Sequence, residues 1–84
     1  MTREALDKLM ESKELTDGEK IYIKDCQFHL GGSFSNALFE AIARADNENL
    51  NKLASGFPQE VQGFLAWARG NLHARASKIA GCDL

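Results

Sequence analysis

Apolar residues recur along this chain with the period of a helix. Ala5, Leu6, Leu9 and Met10 return three and four positions apart among charged neighbours, which places them on one side at 3.6 residues per turn. Thr2 precedes them as an N-cap, and this first helix should end near Lys13. Thr16-Asp17-Gly18-Glu19 then has the Thr-x-x-Glu spacing of a capping box, in which hydroxyl and carboxylate satisfy each other's unpaired backbone N–H groups, so a second helix starts there. Tyr22, Ile23, Cys26 and Leu30 continue it at helical spacing, and Gly31-Gly32 predicts a left-handed stop. Ile21-Tyr22-Ile23 also has the β-branched and aromatic character of a short strand, which keeps a strand-bearing alternative open for residues 20–30.

Ser33 predicts the cap of a third helix, with Phe34, Leu38, Ala41, Ile42 and Ala45 as its apolar face. Phe39 falls about 100° from that face and calls for a second neighbour. Asp46 can cap a short turn that carries Leu50 and Leu53 before Gly56 ends it. Proline at position 58 suits a first helical position, where its missing N–H is no loss, and a helix from there runs to Ala80 with Gly81 as terminator. Gly63 and Gly70 weaken that helix by up to about 1 kcal/mol each without forcing an end. The expected fold is therefore all-α: a compact bundle of about four helices with a long C-terminal helix, residues 1–84 forming a single helical domain.

The predicted last helix has two packable sides. Val61, Phe64, Leu65, Ala68, Leu72 and Ile79 make its core face. Nearly opposite, Gly63, Ala66, Gly70, Ala74 and Ser77 form a stripe of small residues. That stripe is either a solvent side built from good helix formers or a second packing surface for a homodimer or a target. Trp67 lies between the two faces. It reads as a partly buried core residue or as an anchor for a partner, since tryptophan is enriched at binding hot spots.

Composition narrows the functional classes. Eighty-four residues, 44% of them hydrophobic and 26% charged, allow one small core and leave no room for a cleft between domains. No run approaches the roughly 18 apolar residues of a membrane span. Arg3, Glu4, Asp7 and Lys8 interrupt any secretory leader, and with only two cysteines the expected setting is a reducing cytoplasm. A net charge of −2 gives no long-range pull toward phosphate backbones. The charge is unevenly placed, however. Asp7, Glu11 and Glu14 give the first helix an acidic side that is a solvated face or a contact surface, whereas Arg69, His73, Arg75 and Lys78 could form a basic patch near the other end.

The usual signatures of chemistry are missing. Cys26 and His29, with His73 and Cys82, are four candidate zinc ligands, but the last two stand nine apart instead of at a short recurrent spacing, so no metal is expected. No Ser/His/Asp set can be assigned, no calcium-loop alternation surrounds Asp46-Asn47-Glu48-Asn49, and Gly31-Gly32 lacks the lysine and hydroxyl of a phosphate loop. A helix-turn-helix is disfavoured by the long acidic interval between the third and last helices. Neither catalysis nor a cofactor is expected.

Residues 31–69 carry a resemblance. Gly32-Ser33-Phe34-Ser35-Asn36-Ala37-Leu38-Phe39-Glu40-Ala41-Ile42, then Ala45-Asp46, Asn49-Leu50, Lys52-Leu53 and Gly56-Phe57-Pro58-Gln59-Glu60-Val61, is similar to small helical proteins encoded by bacteriophages and prophages. The resemblance implies an accessory protein of the host bacterial cytoplasm that binds and blocks a host protein, as anti-CRISPR inhibitors do. The expectation is thus a non-enzymatic binder of a host protein or complex, able to form a homodimer, with a small nucleic-acid-binding regulator as the alternative.

Overall fold

Each helix start has a local cause. The computed structural model describes residues 3–84, so a cap by Thr2 lies outside the described residues. Helix α1 spans Arg3–Glu11 and α2 spans Asp17–Tyr22. The capping box forms as its spacing predicts: Glu19 N–H donates to Thr16 Oγ1 (3.1 Å) and Thr16 N–H to Glu19 Oε1 (2.9 Å). A π-helical turn, Ile23–Gln27, continues α2, with Phe28 N–H reaching back to the Ile23 carbonyl (3.1 Å). Helix α3 is Gly32–Arg44 and α4 is Asn47–Gly56, the latter capped by the Asp46 carboxylate on Asn49 N–H (2.8 Å). Pro58 opens α5, Pro58–Ala68, and α6, Leu72–Ala80, ends on left-handed Gly81 (φ 75°).

The all-helical expectation holds among the described residues, but the number of helices is six and the long C-terminal helix is broken. The backbone ladder stops where Gly70 N–H meets the Ala66 carbonyl and restarts where Arg75 N–H meets that of Asn71. Gly70-Asn71 joins two poor helix formers, so little local energy opposes the break. Re-aiming the chain there lets Leu72, Ala76 and Ala80 turn inward, while Ala68, expected in the core, is exposed. Two further corrections concern α3. It starts at Gly32 with no side-chain cap, so Ser33 is not its cap, and the chain turns left-handed at His29 (φ 57°) as well as at Gly32. No strand occurs among the described residues, and residues 20–27 are helical, which closes the strand alternative for most of 20–30; Leu30 has left the helix and is exposed.

Leu9, Ile23, Ile42 and Leu72 are fully buried, each contributing roughly 1.5–3 kcal/mol of burial. Around them Tyr22 collects the aromatic rings: Phe39 at 5.4 Å and Phe64 at 6.2 Å meet it edge-on, and Trp67 lies tilted at 5.4 Å. Helix α1 packs along α6, and α2 packs against α5 in the most extensive helix contact of the fold. Gly18 and Gly63 make that contact possible. A Cβ on Gly63 would stand 2.1 Å from the Gly18 carbonyl oxygen, and one on Gly18 2.3 Å from that of Gln59.

Candidate functional site

Two of the surfaces expected from sequence come together. Because α1 and α6 lie side by side, Lys8 and Glu11 of α1, Lys13 and Glu14 of the following turn, and Arg75, Lys78 and Ile79 of α6 line one open groove of about 780 Å³. Acidic and basic candidates that looked like opposite patches are thus neighbours: the α1 side of the groove mixes Glu11 and Glu14 with Lys8 and Lys13, and the α6 side carries Arg75 and Lys78. Asp7, on the same helix, is exposed and paired with Arg3 (3.6 Å).

The inner wall of the groove is a clasp that the sequence shows only in part. Glu19 is 3% exposed. Besides its capping role it holds the Arg75 guanidinium through both carboxylate oxygens, Arg75 Nη2 on Oε2 and Nη1 on Oε1 at 3.4 Å. Arg75 also donates from Nε to Asn71 Oδ1 (2.7 Å) and from Nη1 to the Glu14 carbonyl (3.5 Å). Thr16 Oγ1 donates to Gln62 Oε1 (2.8 Å), so one corner of α2 grips both α5 and α6. Burial pushes the Glu19 carboxyl up, but hydrogen bonds from Arg75 and Thr16 and the guanidinium charge outweigh it, and the group is held below its ordinary 4.5. The capping box was readable from spacing. That Arg75 shares a helix side with Leu72 and Ile79 was also readable from spacing, but its partner was not.

Two residues of the predicted basic patch are engaged within the molecule. Arg75 is held by Glu19, and His73 Nε2 is hydrogen-bonded to the Leu84 carbonyl oxygen (2.7 Å) with Asp83 at 3.7 Å. Arg69 and Lys78 are exposed and make no ion pair among the described residues. The small-residue stripe is also divided. Gly63 is buried against Gly18 inside the molecule and Ala66 is half-buried, whereas Gly70 and Ala74 are exposed and the Ser77 hydroxyl accepts from Leu84 N–H (3.2 Å). Trp67 is half-buried between Tyr22 and the edge-on ring of His73 (5.1 Å).

Cys26, His29, His73 and Cys82 do not gather: among the described residues no group of three or more His, Cys, Asp or Glu is placed to hold a metal ion. Burial, then the charge of Asp25, pushes the Cys26 thiol up to about 11, so it stays protonated and a poor ligand or nucleophile. No helix among the described residues is long and apolar enough to cross a membrane.

A second surface was not foreseen. Phe39 and Ile42 turn α3 toward the core, which leaves Phe34 and Ala41 of the predicted apolar face outside. Phe34 is 67% and Leu30 59% exposed. Set against known proteins, the chain matches no family model, no curated protein and no solved structure.

Proposed function

We propose that this chain is a non-enzymatic accessory protein, of the kind phages and prophages encode, that binds a host protein in the bacterial cytoplasm through the groove between α1 and α6. Inhibition of a defence complex such as CRISPR is the specific form of this reading, and it rests on the resemblance of residues 31–69. The observation that carries protein binding is the mixture of Glu11 and Glu14 with Lys13 and Lys78 around an open hollow with Ile79 in its wall, the other two cations there, Lys8 and Arg75, being paired with Glu4 and Glu19. A surface of interspersed charges suits a partner of complementary pattern and sets register more than raw affinity. A polyphosphate backbone asks for uniform positive charge, which supports protein over nucleic acid as the partner.

The test is affinity capture from bacterial lysate, with and without nuclease, using the native chain and the single variants Glu14→Lys and Lys78→Glu. One host protein should be retained in both samples, and each charge reversal should weaken its capture by roughly tenfold. Capture that disappears with nuclease, or that ignores both reversals, overturns the proposal.

A further inference from the structure

We propose that the outward face of the α3–α4 hairpin binds a second copy of this chain, antiparallel about a two-fold axis. This rests on a different surface from the groove. Leu30 and Phe34 are the large hydrophobic residues left exposed among those described, and both stand at one end of the face. The Phe57 ring, 6.1 Å from that of Phe34, braces it from the end of α4. At the other end, near the α3–α4 turn, lies an open hollow of about 450 Å³ lined by Ala41, Ala45 and Leu53 together with Arg44, Asn49 and Lys52.

Projection and hollow sit in line. Ala41 follows Phe34 by seven residues, nearly two turns, so it lies on the same side of α3 about 10.5 Å along the axis. Between them Ala37 is small and exposed, which lets a second helix approach closely. A two-fold contact sets one patch against itself reversed, so residue i meets j and j meets i. Reversal brings each Phe34 onto the partner's hollow, and both ends are filled at once. An unrelated partner would need only the projection or only the hollow.

Charge fits the same occupant. A patch facing its own copy repels if it carries net charge, and here Arg44 is cancelled by Glu40 (2.8 Å) and Lys52 by Glu48 (3.7 Å). A domain of this size also has a thin core, which self-association commonly supplements.

The experiment is sedimentation equilibrium on the full chain over a wide concentration range, for the native sequence, Phe34→Asp, Ala41→Arg, and an equimolar mixture of the two variants. The native chain should reach twice the monomer mass. Each variant alone should associate about 30-fold or more weakly, the loss expected for a hot spot, with helical circular dichroism retained because both positions are exposed. The mixture should recover association. In a mixed pair one contact remains native, and the other sets the introduced carboxylate against the introduced guanidinium. A native chain that stays monomeric overturns the proposal, as does a dimer indifferent to both substitutions or a mixture that fails to recover. Monomeric native chain together with loss of host-protein capture by Phe34→Asp would assign the face to a foreign partner instead.

Discussion

Glu19 is the residue on which most of the local geometry depends, because one carboxylate caps α2 and fixes α6 through Arg75. Its ionised form is favoured in the folded chain, so its folded value lies below the ordinary 4.5. The stabilisation is then complete above that ordinary value and is lost as pH falls through the folded one. Glu19→Gln keeps the Thr-x-x-Gln form of the capping box but removes the charge facing Arg75. The guanidinium is 36% exposed and retains some water, so the loss at neutral pH should be about 1–3 kcal/mol, short of a fully buried pair. Urea unfolding of native and variant chains across acid pH should show the gap closing below the glutamate range. A gap that stays constant would mean that the pair contributes nothing through its charge. At this scale sequence was informative where spacing is short: Thr16 with Glu19, and Asp46 with Asn49, are three residues apart and were readable as caps. Arg75 lies 56 residues from Glu19, and no local pattern reports a contact of that range.

Among the elements, the crossing of α2 over α5 and the break before α6 both follow from tertiary packing overriding local tendency. Gly63 was readable as a small residue on a helix but not as the position where Gly18 passes overhead, because the partner is chosen by the fold. Gly63→Ala should force the two helices apart and lose about 2–3 kcal/mol. Gly56→Ala, at the end of α4 where an added Cβ meets open space, should be neutral or gain about 0.5 kcal/mol. Thermal unfolding of the two variants checks the contrast, and equal effects would show that the close approach at Gly63 does not limit stability. Periodicity found the helix-bearing segments except α4, a ten-residue helix where only a short turn was expected, and it erred on α3 and on the last run for one reason. A run with apolar residues on more than one side fits several rotations. Phe39 and Ile42 won the core over Phe34 and Ala41, and Leu72, Ala76 and Ala80 won it by ending α5 at Ala68.

The whole molecule presents one charged groove and one apolar face on different helices, α1 with α6 and α3 with α4. The charges of the groove were visible in the sequence as two separate sets; their meeting depends on α1 lying along α6, a contact between the first and last helices that composition cannot encode. The apolar face was hidden because its residues were assigned to the core. The clasp spans the same distances. It joins Thr16 to Gln62 and Glu19 to Arg75, 46 and 56 positions apart, so large loops must close before those bonds form. The expectation is that such contacts form in the last steps of folding, so that removing them acts on unfolding rather than on refolding. In stopped-flow experiments Glu19→Gln should therefore refold at close to the native rate and unfold several-fold faster; a slowed refolding limb would instead place the clasp in the nucleus. What Glu19 and Arg75 set, on this account, is the lifetime of the folded chain, and with it the time for which the molecule escapes proteolysis between one opening and the next.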